Sequence, residues 1–256
     1  MADSEITQVA LFMLLSGKNR RMRINQKIVN LTFLHYSFLE GSGTSNKKEK
    51  CERMEEKTNV LVLIRHGQSE YNQLNLFTGW RNPPLTNKGQ LEAKEAGEKI
   101  KKTGVKFDYH FTSNLIRAQK TGQIILEVLG QSHVKTSCDE ALNERNYGDL
   151  AGLNKDEARK KWGDEQVHIW RRSFDIAPPG GESLKDTFDR TVPFFEAKIK
   201  PHFDNKNILV SAHGNTIRAL VMHIEDIDQK DIVKLEIATG VPIFFKRDGR
   251  GRIIKF

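Results

Sequence analysis

Residues 59–69 read NVLVLIRHGQS: five consecutive apolar residues at 60–64, then Arg65-His66-Gly67-Gln68-Ser69. A short run of Val, Leu and Ile without polar alternation is the pattern of a strand buried on both faces, as in a parallel sheet between two layers of helices. In such sheets ligands bind outside the carboxyl ends of the strands, and His66 falls at that point. Residues 207–215, NILVSAHGN, repeat the design. There His213-Gly214-Asn215 opens a helix, whose N-terminus attracts anions. A lone histidine is usually a satisfied core or loop residue. Two His-Gly pairs, each ending a buried strand, are hard to account for as packing. Arg65 adds a fork that matches phosphate, and a glycine lets the backbone approach an anion closely. Together these residue types suit an imidazole that attacks phosphorus.

Between the two stretches the pattern alternates. A helix is predicted over 86–103, capped by Thr86, with Leu91, Ala96 and Ile100 on one face. A strand follows at 108–112, a helix at 115–129 stopped by Gly130, and a short strand at 134–137. Short helices are expected at 154–162 and 165–173. A long one spans 182–203, with Leu184, Phe188, Val192, Phe195 and Ile199 in register and a kink at Pro193. After the strand at 207–212 come a helix at 215–224 and a closing strand at 241–246. This order predicts an α/β fold, a mostly parallel sheet flanked by helices on both faces.

The 256 residues suffice for one substantial core, and 38% hydrophobic with 29% charged is ordinary for a soluble enzyme. The net charge of +8 raises the question of nucleic acid, but residues 1–53 carry nine Lys/Arg against five Asp/Glu, half of that surplus. The rest suits a basic pocket for acidic small molecules, and aromatic–basic interleaving is missing. No run approaches the ~18 apolar residues of a membrane span. Residues 1–53 read as an extension outside the fold, with the catalytic domain at 54–256 and Met54 a natural start for it. The extension's basic residues follow its apolar run, the wrong order for a secretory signal, and the lack of acidic residues between Glu5 and Glu40 resembles an organelle transit peptide. The two cysteines, Cys51 and Cys138, form neither a disulfide framework nor a metal site. A cytoplasmic enzyme is the expectation, with organelle targeting left open.

LIRHGQSEYN and AHGN resemble the histidine phosphatase superfamily. Further stretches resemble its 2,3-bisphosphoglycerate-dependent phosphoglycerate mutases, in order from about 59 to 246: NLFTGWRNPPLTNKG (75–89), TSNLIRAQKTG (112–122), LNERNYGDLAGLNK (142–155), WRRSFDIAPP (170–179), GGESLKDT (180–187) and SAHGNTIRAL (211–220). The resemblance implies that His66 is the nucleophile and that Arg65, Arg117 and His213 clamp the transferring phosphate, with Asn72, Gly214 and Asn215 beside it. Glu144 would be the general acid and base. Tyr147, Lys155, Arg171 and Arg172 would grip the substrate's remote anionic groups, with Ser69, Thr78 and Gly79 as further contacts. Alone, Arg171-Arg172 reads as a solvated face, Glu144 as one carboxylate among many, and Thr78-Gly79-Trp80 as a turn.

The implied activity is interconversion of 3- and 2-phosphoglycerate in glycolysis and gluconeogenesis, primed by 2,3-bisphosphoglycerate, with no metal. Phosphoglycerates are the implied partners, nucleic acid and membrane are not, and the family is commonly dimeric or tetrameric. Two departures mark a short form. Only IAPPGG separates Asp175 from Glu182, where longer members carry an insertion, and the chain ends at Phe256, soon after the last expected strand. Reduced cover would let water accept phosphoryl groups. A phosphatase on the same scaffold and a silent binding module stay open as alternatives at this point.

Overall fold

A computed structural model describes residues 59–256; the extension at 1–53, Cys51 and Met54 lie outside the described residues. In chain order, β1 (Val60–Arg65) is followed by the one-turn helix α1 (Glu70–Gln73) and by α2 (Asn87–Lys101). Next come β2 (Tyr109–Thr112), α3 (Ile116–Val128), β3 (Lys135–Cys138), α4 (Lys155–Trp162) and α5 (Asp164–Arg172). The chain then forms α6 (Leu184–Phe194), α7 (Lys200–Phe203), β4 (Ile208–Ala212), α8 (Gly214–Glu225), α9 (Gln229–Ile232), β5 (Pro242–Arg247) and β6 (Ile253–Lys255).

The sheet order is β3-β2-β4-β1-β5-β6. The first four strands are parallel, whereas β5 runs antiparallel to β1 and β6 antiparallel to β5. The expected mostly parallel sheet is therefore present. Alternation along β1 splits its side chains between two cores. Leu61 and Leu63 join Ile208, Val210, Phe195, Phe203, Ile217 and Leu220 on the α6–α8 face. Val60, Val62 and Ile64 join Leu209, Ala96, Ile100 and Ile125 on the α2–α3 face. Both faces exclude water, which is why β1 reads as an unbroken apolar run. Leu61, Val62, Leu63 and Ile64 are wholly buried, each stabilising the fold by about 1.5–3 kcal/mol.

Thr86 caps α2 as expected, its hydroxyl accepting the Gly89 N–H at 3.1 Å. Leu91, however, is 55% exposed, and the buried stripe is Ala93, Ala96, Gly97 and Ile100. Two residues are about 200° around a helix, so Leu91 lies opposite Ala93. The small residues won because α2 packs closely on α3: a Cβ on Gly97 would sit 2.8 Å from that of Val128. The helix expected over 182–203 starts at Leu184 behind a Ser183/Asp186 capping box, and beyond Pro193 a π-helical turn, Phe195–Ile199, leads into α7. The short elements α1, α9 and β6 have three or four residues each, too few to show a period. No helix of the described residues is long and apolar enough to cross a membrane.

His110 ties three strands together. On β2, its Nδ1 meets the Thr136 hydroxyl of β3 at 3.0 Å, and its Nε2 meets the Ser211 hydroxyl of β4 at 2.8 Å. Burial lowers its pKa from 6.5 to about 4. The folded protein thus keeps His110 neutral where the unfolded chain would protonate it. Stability is complete above pH 6.5 and falls as the pH drops towards 4, by about 3 kcal/mol from this residue alone. His110→Gln should show a shallower decline in urea-unfolding free energy between pH 6.5 and 4.5 than the parent.

Candidate active site

Strand register brings the two His-Gly pairs together. Arg65 on β1 pairs with Ala212 on β4, so the residues after each strand emerge side by side. The His66 N–H donates to the Ala212 carbonyl at 3.0 Å, and the two imidazole centroids are 5.0 Å apart, edge to face. β2 flanks β4 on its other side, and Ser113, just past its end, meets His213 Nε2 at 2.7 Å.

Hydrogen bonding sets the tautomers. His66 Nδ1 lies 2.7 Å from the Gly67 carbonyl, which can only accept, so Nδ1 carries the proton. Nε2 is left with its lone pair and receives the Arg117 Nε–H at 3.3 Å. Burial, with the charges of Arg117 and Arg65, holds the His66 pKa well below its ordinary value. The ring is therefore neutral at physiological pH. The Ser113 hydroxyl accepts the Leu115 N–H at 3.2 Å and lies 2.7 Å from His213 Nε2; in the tautomer where it donates to Nε2, His213 Nδ1–H is a donor. Burial and the same arginines keep His213 neutral too.

Arg117 is wholly buried, its Nη1 and Nη2 held by the carbonyls of Arg81 at 2.8 Å and Gly79 at 2.9 Å. Burial lowers its pKa to about 10, and it stays charged at neutral pH. Arg65 is anchored by Nη1 to the Ile237 carbonyl at 2.7 Å. Among the described residues, only four buried side-chain nitrogens lack a partner, and three of them belong to this neighbourhood: Arg65 Nε, His213 Nδ1 and Arg145 Nε. Buried donors are almost always satisfied, so the cluster has the chemistry of an anion site.

Glu144 faces this centre from a loop after β3. All three hydrogen bonds to its carboxylate among the described residues fall on Oε1: the Arg145 N–H at 2.8 Å, the Asn215 N–H at 3.1 Å and Asn215 Nδ2 at 3.0 Å. Oε2 remains available, and a Cβ on Gly214 would lie 3.8 Å from it and 3.6 Å from Arg65 Nε. Arg190, which the motif reading missed, organises the loop. It donates to the carbonyls of Ala141, Asn143 and Glu144 and pairs with Glu182 at 2.9 Å. Glu182 in turn accepts the Asn146 N–H at 2.8 Å. The short 175–182 connection is thereby stacked on the Glu144–Tyr147 turn. Gly148 has φ +52° there, and a Cβ on it would lie 2.1 Å from the Pro179 carbonyl.

The pocket above His66 is lined by Arg65, Asn72, Thr78, Arg117, Glu144, Tyr147, Lys155, Arg171, Arg172, Gly214 and Asn215, all anticipated, together with Leu76, Phe77, Arg218 and Glu236, which were not. Burial and the neighbouring arginines push Lys155 below its ordinary pKa. Burial raises the Tyr147 hydroxyl, but the charge of Arg145 and hydrogen bonds from Arg145 and Asn215 outweigh it and leave it lowered. Ser69, Gly79 and the fully buried His213 stand behind the lining. Ser69 is buried, capping α1 through Asn72, and Gly79 contributes its carbonyl to Arg117. Gly67 also serves a different need from the one expected: a Cβ there would lie 2.1 Å from the Gly89 carbonyl, so it permits contact with α2 rather than with an anion. Arg190 and Glu236 lie outside the quoted signatures, and only the tertiary fold associates them with the site; Arg218 falls within SAHGNTIRAL, three residues after Asn215 on α8, but was not singled out.

A family model described as the histidine phosphatase superfamily (branch 1) matches residues 61–255. The fold agrees: Bacillus stearothermophilus YhfR superposes with a TM-score of 0.68 at 24% identity over 77% of this chain and 95% of that one. The chain belongs to this superfamily. The 2,3-bisphosphoglycerate-dependent phosphoglycerate mutase of Parvibaculum lavamentivorans is 56% identical over 198 residues, 77% of this chain and 94% of that protein. The phosphoglycerate mutase of Schizosaccharomyces pombe is 57% identical over 197 residues, 77% of this chain and 93% of that protein. Within the superfamily, the chain belongs to the phosphoglycerate mutases.

Removing Arg190 leaves Glu182 without its cation and takes one donor from each of the carbonyls of Ala141, Asn143 and Glu144, which keep Thr191, Thr216 and Trp80 respectively. Arg190→Met should destabilise the protein by about 2–4 kcal/mol in urea unfolding, and adding Glu182→Gln should recover part of that loss.

Proposed function

We propose that this chain interconverts 3-phosphoglycerate and 2-phosphoglycerate, a step of glycolysis and gluconeogenesis, through a phosphohistidine at His66 primed by 2,3-bisphosphoglycerate. One observation supports the site assignment above the others. A neutral imidazole offers its Nε2 lone pair where buried Arg65 Nε and His213 Nδ1 lack partners. A phosphoryl group on Nε2 would satisfy those donors, and Arg117 would lie against its oxygens.

In the forward direction the phosphoenzyme meets 3-phosphoglycerate. Glu144 Oε2 takes the proton of the 2-hydroxyl as that oxygen attacks phosphorus and the P–Nε2 bond breaks. The product, 2,3-bisphosphoglycerate, turns so that its 3-phosphoryl group faces Nε2. The imidazole attacks, the P–O3 bond breaks, Glu144 returns the proton to O3, and 2-phosphoglycerate leaves the phosphoenzyme behind. Phosphoryl transfer asks mainly for alignment and for positive charge around the equatorial oxygens. Arg65 and Arg117 supply the charge and His213 a hydrogen bond, without a metal. Tyr147, Lys155, Arg171 and Arg172 hold the carboxylate and the remote phosphate, with Asn72 beside the transferring group and Thr78 as a further contact.

Turnover of 3-phosphoglycerate with trace 2,3-bisphosphoglycerate and excess chelator tests the proposal. Formation of 2-phosphoglycerate should require the primer, survive the chelator and vanish in His66→Ala. Glu144→Gln should lose about 10²–10⁴-fold in kcat. Release of free phosphate without 2-phosphoglycerate would make the protein a phosphatase, and no reaction by the folded protein would make it a binding module.

A further inference from the structure

Two acidic residues line the otherwise cationic pocket, and their surroundings differ. Glu144 is buried and fixed by three N–H groups. Glu236, on the connection between α9 and β5, is 68% exposed at the rim. Its Oε1 lies 2.5 Å from Arg172 Nη2, and its Oε2 lies 3.6 Å from Arg218 Nη2. One carboxylate thus bridges two pocket arginines from different elements, α5 and α8. Arg218 is otherwise oriented from within, donating to the Leu235 carbonyl at 2.7 Å and to Asn215 Oδ1 at 2.9 Å. Its side chain is 11% exposed.

We propose that Glu236 is an internal counter-anion: it occupies the guanidinium of Arg172 in the free enzyme and is displaced when a substrate's remote carboxylate or phosphate takes that guanidinium. The inference rests on the phosphoglycerate reading of the pocket, and it adds a residue that sets affinity rather than chemistry. A carboxylate oxygen on a guanidinium nitrogen has the charge and hydrogen-bonding character of the ligand group it would precede. It relieves repulsion between Arg172 and Arg218 while the pocket is empty. It also opposes a polyanion once the pocket is filled, because its charge stays near the rim after its hydrogen bond is lost. Glu236 is a positioning residue, since it reaches the reacting phosphorus only through Arg172.

Equilibrium titration of the full-length protein with 2,3-bisphosphoglycerate, which spans centre and rim, and with orthophosphate, which fits the centre alone, separates the effects. Glu236→Gln should bind 2,3-bisphosphoglycerate about three- to tenfold more tightly, as removal of one partly screened charge allows. Its affinity for orthophosphate should change by less than about twofold, and its KM for 3-phosphoglycerate should fall more than its kcat changes. Glu236→Asp, which keeps the charge, should bind like the parent. Glu95→Gln, an equal charge change at an exposed position of α2, should do the same. The gain in Glu236→Gln should shrink as salt is raised. Unchanged or weaker 2,3-bisphosphoglycerate binding in Glu236→Gln overturns the proposal, as does an equal gain for orthophosphate. Failure of the parent to form 2-phosphoglycerate would remove the mutase reading and leave the binding comparison standing.

Discussion

The site depends on the parallel pairing of β1 with β4. Those strands lie almost 150 residues apart in the chain, yet their ladder aligns Arg65 with Ala212. Parallel neighbours are about 4.8 Å apart, and the two imidazoles that follow them are accordingly 5.0 Å apart. A slip of one residue would turn Leu61 and Leu63 into the face now filled by Val60, Val62 and Ile64 and would separate the histidines. Burial of both faces penalises such a slip heavily. The catalytic geometry therefore inherits its precision from the core.

Around this pairing the protein gathers positive charge in a partly buried place. Arg117 tolerates it because backbone carbonyls of Gly79 and Arg81 take up its outer nitrogens. Histidines 66 and 213 respond instead by staying neutral. The same electrostatics thus leaves the arginine charged and both imidazoles neutral. Glu144 is held from one oxygen only, which orients the other towards the centre without using it. The unsatisfied donors that remain are the complement of an anion. They are tolerable in the free protein because each is one N–H of a group anchored elsewhere.

Several residue roles differ from those a motif implies. Gly67 is needed for the approach of α2, and Ser69 for the cap of α1. Gly214, by contrast, leaves room between Arg65 and Glu144. The short connection before α6 carries a structural function of its own. Through Glu182 and Arg190 it clamps the turn that presents Glu144 and Tyr147. Leu91 shows the limit of periodicity as a guide: a large apolar residue was left in water because close helix packing favoured Ala and Gly.

The alternation of apolar runs with helical periods determined the α/β class, since a strand buried on both faces cannot be written with polar residues. The motifs determined the family and most of the pocket, because the two histidines, Arg65, Arg117 and Glu144 lie in contiguous signatures. The tertiary structure alone decided the strand order, which interposes β4 between β1 and β2 and makes distant histidines neighbours. It alone brought Arg190 and Glu236 to the site. Each acts through a carbonyl or a charge contributed by another segment, and such a partnership leaves no local period or spacing to read. The tautomer of His66 likewise follows from the Gly67 carbonyl in the folded chain, because a proton's place on a ring is set by whichever atom lies within hydrogen-bond reach.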